Sequence, residues 1–247
     1  MKTIHIEKIE DIEKELFDFK ILFAYNSNKI ENNEITFHDT RDIFEHGIVH
    51  GFTGDLKTLY QIENQKNTFD YLKDKIIQKE PLSKEFILTI HKKLTRGTYD
   101  ETRYHLKNER PGSFKKHDYV TGIHEVGSTP DQVEKDISDL IDEINTYEGD
   151  DWFTVGVYFH AVFENIHPFA NGNGRLGRTL MNYLFMIHDI APTIIYDEDK
   201  RTYYDALEQF DSNEDLEPLK QFILSQQEKT WSKKESSNHR KLSAYTK

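Results

Sequence analysis

Apolar positions recur at helical spacing along most of the chain. Ile12, Leu16, Phe19 and Phe23 predict a helix from about Ile9 to Tyr25. Thr36-x-x-Asp39 opens a second in the manner of a capping box, running to about His46 with Gly47 as its stop. Leu56, Leu59, Tyr60, Ile62, Phe69, Leu72 and Ile76 predict one long or one broken helix between Thr53 and about Gln78. Pro81 followed by Ser83 caps a further helix through Leu94, ending near Gly97. The helical period vanishes between Tyr99 and Pro130, where His117 to Ile123 has strand character with a glycine interruption, the one hairpin-like stretch of the chain. Thr129-Pro130 starts the next helix, with Val133, Ile137, Leu140, Ile141 and Ile144 as its buried face. The runs Asp151 to Ile166 and Thr179 to Ile187 are apolar on nearly every side, which marks helices at the centre of a domain. Asp189 to Pro192 closes the second of these, Arg201 to Leu207 opens another helix, and Leu216, Leu219, Phe222 and Ile223 fit a last one reaching about Trp231. From Ser232 the tail is polar. The pattern predicts an all-α fold with one β-hairpin.

The two most apolar helices are joined by His167-Pro168-Phe169-Ala170-Asn171-Gly172-Asn173-Gly174-Arg175-Leu176-Gly177-Arg178. Pro168 disfavours helical geometry at His167 and ends the first helix there. Gly172 and Gly174 permit backbone angles that turn main-chain amides toward one point, and a helix starting near Asn173 adds free N–H groups and a positive dipole end. Arg175 and Arg178, three apart, share a face and suit phosphate oxygens. Asn171 offers a neutral oxygen to Mg²⁺, and His167 is the nearby side chain whose ordinary pKa suits proton transfer near neutrality. Any one of these residues is ordinary in a turn. From average residue usage, the joint pattern is expected by chance well below roughly once in 10⁸ chains of this length. It reads as a phosphoryl or nucleotidyl transfer site, and it lacks the Gly-Lys-Ser/Thr of a Walker-type loop.

Composition narrows the classes. The chain has 247 residues, 36% hydrophobic, enough for one medium-sized domain with appended helices. It has no cysteine, which excludes disulfides and zinc-thiolate sites and fits a reducing, cytoplasmic location. There is no secretory leader pattern at Met1 to Glu7 and no run long enough to span a bilayer. A formal charge of -12 argues against generic nucleic-acid or anionic-membrane surfaces, so the arginine pair points to a specific anionic ligand. His160, Glu164 and His167 have the spacing His-x-x-x-Glu-x-x-His, which does not place two histidines one turn apart as a zinc helix does. A structural role for His160 and Glu164 behind the loop is expected. His38, His46, His50 and His91 read as surface or internally satisfied histidines.

The loop resembles the Fic (filamentation-induced-by-cAMP) family, whose motif H-P-F-x-[D/N]-G-N-G-R-x-x-R is met at every fixed position from His167 to Arg178. The resemblance implies a Fic-type helical domain with a β-hairpin flap and N-terminal helices packed on it, divided as an N-terminal helical region with an inhibitory segment at 1–80, a Fic core at 81–224, and the end of the C-terminal helix with a polar tail at 225–247. It implies transfer of AMP from ATP to a target hydroxyl, with His167 as base. Asn171 would hold Mg²⁺, and Asn171, Gly172, Asn173, Gly174, Arg175, Gly177 and Arg178 would hold the nucleotide. Related Doc kinases carry Lys where this chain has Gly174, and many Fic members have Asp where it has Asn171. By the same resemblance, Thr121, Gly122, Ile123 and His124 lie near the nucleotide on a flap that pairs with an extended target segment; an ordinary surface hairpin is the alternative. Tyr204 would pack beside adenine, although tyrosine at helical spacing also fits a core. Ser27-x-x-x-Glu31-Asn32 resembles the family's inhibitory motif, with Glu31 pairing Arg178; alone, it also fits a solvated helix. Three functions stay open: adenylylation restrained by Glu31, AMP removal assisted by Glu31, and nucleotide binding with negligible turnover. A homodimer is common in such proteins.

Overall fold

The computed structural model describes residues 1–31, 34–119 and 127–237, with the backbone alone for 233–237. In chain order the helices are α1 (Ile9–Glu15), α2 (Phe17–Glu31), α3 (Phe37–His46), α4 (Leu56–Ile77), α5 (Lys84–Thr95), α6 (Val133–Asn145), α7 (Trp152–Ile166), α8 (Asn173–Ile187), α9 (Lys200–Asn213) and α10 (Glu217–Ser237). A π-helical turn at Thr102–Leu106 and a 3₁₀ turn at Asp197–Asp199 supplement them. Among the described residues the fold is all-α, its one β pairing an isolated antiparallel bridge between Thr3 and Ile190.

α8 is the axis of the molecule. Every residue from Arg175 to Ile187 is buried, as its all-round apolarity requires. α7 packs along it more extensively than any other element, and α2, α4 and α5 close around the remaining faces. Gly156 of α7 makes the close approach possible, since a Cβ there would meet Phe185 Cε1 of α8 at 2.5 Å. Phe153 and Phe185 stack beside it at 5.2 Å.

Several boundaries differ from the pattern-based expectation for local reasons. The first predicted helix is two. Leu16 leaves helical geometry (φ −111°, ψ 11°) while fully buried, and the bend keeps Ile12 on one side and Phe19 and Phe23 on the other against the same core. α2 then continues to Glu31, well past Tyr25. The caps of α3 and α5 are as expected, Thr36 and Ser83 accepting from the amides of Asp39 and Phe86 at 3.1 Å each. α6 begins at Val133, after a turn that Thr129 closes. The stretch after Tyr99 contains the π-helical turn, which no periodicity signalled.

α4 is unbroken, and its inner face is mixed: Ile62, Leu72 and Ile76 are buried as expected, but so are polar side chains. Leu56 and Tyr60 are exposed, whereas Thr58, Gln61, Asn64, Gln65 and Thr68 are buried. The reason lies at the neighbouring helix ends. Asn64 donates to the carbonyls of Leu94 and Arg96 at 3.3 and 2.7 Å, supplying partners for the C-terminus of α5. From α2, Asn28 reaches the Gln61 carbonyl at 3.3 Å.

The α7–α8 contact yields a stability prediction. Gly156→Val places two methyl groups against the Phe185 ring and should lower unfolding free energy by about 1–3 kcal/mol. Chemical denaturation of the two proteins checks this, and an unchanged midpoint contradicts the close approach.

Candidate active site

α7 ends where Pro168 requires it. His167 adopts the left-handed conformation (φ 50°, ψ 61°), its amide still bonded to the Phe163 carbonyl at 3.1 Å. Five residues later Gly172 (φ 90°) turns the chain into α8, and a Cβ there would meet Thr95 Cγ2 at 2.6 Å. The loop is stapled from inside. Asn173 accepts from the Phe169 amide at 2.9 Å and donates to the Phe169 carbonyl at 2.8 Å. Its side chain is therefore committed to the loop, which leaves a ligand only its main-chain amide. The amides of Gly172, Asn173, Gly174 and Arg175 find no acceptor among the described residues, so the start of α8 presents free donors and a positive dipole end.

Both motif arginines are buried. Arg178 is engaged by α2. Its Nη2 donates to Glu31 Oε1 at 2.8 Å and to the Ser27 carbonyl at 2.9 Å, its Nε donates to Ser27 Oγ at 3.1 Å, and the Tyr203 ring lies 5.9 Å away. Arg175 is engaged only by the loop, through Nη2 to Asn171 Oδ1 at 3.3 Å, and its Nε and Nη1 are buried with no partner among the described residues. A Cβ on Gly174 would run into Glu31 Oε1. The Glu31 carboxylate thus rests on the first turn of α8, the place an anionic ligand would take.

The electrostatics follow. Burial alone would push the Glu31 carboxyl up, but Arg178, aided by Arg175 and His167, holds it below its ordinary value. Burial drives the His167 imidazole down to about 4, with Lys115 adding to the effect, so it is neutral at physiological pH. Burial pushes Glu164 up to about 8 against the pull of Arg178, so this carboxyl carries its proton near neutrality.

Behind the loop, His160 Nε2 bonds the Tyr203 hydroxyl at 2.8 Å. A Cβ on Gly177 would meet Glu164 Oε1 at 2.5 Å and His160 Nδ1 at 2.9 Å. Gly177, expected beside the nucleotide, faces α7 instead, where its lack of a side chain admits these two groups. Tyr204 is 46% exposed, tilted against Tyr203 at 5.2 Å.

Thr121, Gly122, Ile123, His124 and Asn32 lie outside the described residues. The chain on either side of 120–126 is fixed to the motif corner: Lys115 N donates to the Pro168 carbonyl and Ser128 N to the Ile166 carbonyl, both at 2.9 Å. A Cβ on Gly127 (φ 64°) would meet His167 Cβ at 2.8 Å. Two residues that the sequence did not flag organise this region. Glu109, 1% exposed, accepts from the Lys116 amide and from His117 Nδ1 at 3.0 Å each, and from the Tyr119 hydroxyl at 3.1 Å. His91, fully buried, bonds the Asn171 carbonyl. In sequence, Glu109 sits among Asn108 and Arg110 like any surface charge, and nothing there signals its burial.

A family model described as the Fic/DOC family matches residues 81–185. These residues are a Fic domain. The chain is 27% identical over 221 residues to a protein adenylyltransferase Fic of Nematostella vectensis, covering 83% of this chain and 46% of that protein. It is 28% identical over 241 residues to the protein of the same name from Aedes aegypti, covering 88% and 42%. The chain thus spans less than half the length of the curated relatives it matches. A Fic domain containing signaling protein from Bacteroides thetaiotaomicron superposes with a TM-score of 0.78 at 23% identity, covering 91% of this chain and 88% of that one. A segment of Fic-1 from C. elegans does so with the same score at 21% identity, covering 94% and 67%. The all-helical Fic fold extends beyond the matched residues to the helices around them. No helix among the described residues is long and apolar enough to cross a membrane.

The Glu31–Arg178 contact makes a pH prediction. Because the folded-state pKa of Glu31 is depressed, its stabilisation is full above the ordinary carboxylate pKa of about 4.3 and is lost as pH falls through the folded value. Wild type should therefore melt above Glu31→Gln at pH 6–7, with the gap closing below about pH 4. Thermal melts from pH 3 to 7 check it, and a pH-independent gap contradicts the ion pair.

Proposed function

We propose that this Fic domain transfers AMP from ATP to a hydroxyl of a target protein, and that Glu31 restrains the reaction. The observation that carries the reading is Arg175. A permanent cation is buried beside four main-chain amides, and among the described residues those amides and two of its nitrogens have no hydrogen-bond partner, an arrangement suited to an anion. The names of the curated relatives, protein adenylyltransferase Fic, support the choice of anion and of reaction.

The residues divide the work by position. The first-turn amides of α8 and the two guanidinium groups take the phosphates, and Arg178 does so on release from Glu31. His167, neutral and at the mouth of the loop, accepts the proton of the target hydroxyl as its oxygen bonds to the α-phosphorus. The bond from that phosphorus to the bridging oxygen breaks, and pyrophosphate leaves with its charge met by Arg175 and Arg178. While Glu31 holds Arg178, the nucleotide lies out of line for attack, and small misplacements cost much of the rate.

Mg²⁺ fits this site as an ion carried by the nucleotide. No group of three or more acidic, histidine or cysteine side chains among the described residues could cage a metal. Asn171 Oδ1, held only by a long 3.3 Å bond from Arg175, offers one neutral oxygen. That matches the habit of Mg²⁺ of keeping substrate phosphates and few protein groups. When bound, it would neutralise phosphate charge. Residues 120–126, entered and left at the motif corner, are the segment on which the target would dock.

Incubation of the purified chain with ATP labelled at the α-phosphate and cell lysate tests the reading, with protein-bound AMP identified by mass spectrometry; no transfer from wild type or from Glu31→Gly defeats it. His167→Ala should lower transfer by about 10²–10⁴-fold while calorimetric ATP binding survives, since the residue is no part of the cradle. Glu31→Gly should raise transfer by about tenfold or more, which corresponds to about 1.4 kcal/mol of barrier. An unchanged rate in that variant removes the brake.

A further inference from the structure

His91 belongs to α5, outside the motif, yet both of its ring nitrogens are spent at the site. Nδ1 accepts from the Gly112 amide at 2.8 Å. A main-chain N–H only donates, so Nδ1 carries no proton. The proton is on Nε2, which donates to the Asn171 carbonyl at 2.9 Å. The ring stacks on Phe169 at 3.6 Å with planes 14° apart. One turn further on, Thr95 Oγ1 donates to the His91 carbonyl at 2.7 Å, and its methyl lies under Gly172.

We infer that His91 is the positioning residue of the anion cradle, holding the Asn171 carbonyl so that the amides of Gly172 and Arg175 stay free for phosphate. Two effects follow from one hydrogen bond. First, a trans peptide is planar, with its N–H opposite its C=O. Fixing the Asn171 carbonyl on α5 directs the Gly172 N–H away from α5, where it meets no acceptor among the described residues. Second, the Asn171 carbonyl is the next acceptor in the register of α8, four residues before Arg175. Were the first turn to extend backward by one residue, this carbonyl would take the Arg175 amide. His91 holds it toward α5, and the Arg175 amide has no main-chain partner among the described residues.

The same side chain ties Asn171 to Gly112, on the segment that leads to residues 120–126. The cradle and the turn at Gly112 therefore share one anchor. Burial, with Arg175 nearby, keeps the imidazole neutral down to about pH 3, so the donor–acceptor pattern does not change through the working range.

The inference rests on the nucleotide-transfer reading and is tested by a matched pair of variants. In His91→Gln the terminal amide nitrogen reaches the position of Nε2 and can still donate to Asn171. In His91→Asn the shorter amide reaches only the position of Nδ1 and can serve Gly112 alone. Both remove the stacked ring, so a purely structural role affects them alike. Melting temperatures are measured for each, and Mg²⁺-ATP binding by calorimetry. The expected result is ATP affinity within about threefold of wild type for His91→Gln and at least about tenfold weaker than wild type for His91→Asn, the latter a loss of about 1.4 kcal/mol or more. Equal ATP affinity in the two variants, whether both retain it or both lose it, overturns the inference. Failure of the wild-type protein and of Glu31→Gly to bind ATP instead strikes the nucleotide-transfer reading itself.

Discussion

Two guanidinium groups buried within one turn of α8 are the constraint around which the rest of the molecule is arranged. Desolvating such an ion costs several kcal/mol even after the surroundings relax, so each buried charge demands compensation. Arg178 receives it from α2 through the Glu31 carboxylate, the Ser27 carbonyl and the Ser27 hydroxyl, with the Tyr203 ring nearby. Among the described residues Arg175 receives one long hydrogen bond, from Asn171, and the more distant charge of Glu31. One arginine is satisfied by the fold, and the other keeps two nitrogens without a hydrogen-bond partner among the described residues, which the proposed function assigns to a ligand. Under the proposed function this asymmetry separates an anion site from a structural ion pair, and α2, part of the core through Phe19 and Phe23, would also compete with the ligand through Glu31.

The supporting geometry serves the same end. The free amides of the α8 first turn depend on Gly172 turning the chain, on Asn173 spending its side chain inside the loop, and on His91 taking the Asn171 carbonyl. His167 is held in a left-handed conformation with packed chain on either side, from Lys115 and from Gly127. Burial then keeps it neutral, the form a base requires. Glu164 and His160 fill the space that Gly177 leaves behind the arginines, and Glu164 remains protonated there, which avoids a second carboxylate competing for Arg178.

The motif, the buried character of α7 and α8, and the caps of α3 and α5 were legible in the sequence because each is a local signal: a proline, a glycine pair, an apolar run, a Thr or Ser at a helix start. The cap expected at Thr129 is not one, since α6 starts at Val133 after Gln132. What was illegible depends on long-range contacts. Apolar periodicity found Ile62, Leu72 and Ile76 on the inner face of α4 but also pointed to Leu56 and Tyr60, which are exposed, while Asn64 takes an inner position to satisfy carbonyls at the end of α5. Glu109 looks like a solvated charge because its three donors come from residues seven to ten positions later in an irregular loop. Gly177 reads as part of the phosphate loop because motif membership does not reveal which side of a helix a position faces. His91 read as either a surface or a satisfied histidine, and nothing local showed that it is buried against the Asn171 carbonyl.

The central claim is that the Glu31 carboxylate stands in a site built for phosphate. Calorimetric titration of inorganic pyrophosphate into the wild-type protein and into Glu31→Gly tests it without any need for a target or for turnover. Competition for one site predicts binding at least about tenfold tighter in the variant, a difference of about 1.4 kcal/mol. Equal affinity for the two proteins, or binding to neither, contradicts the account.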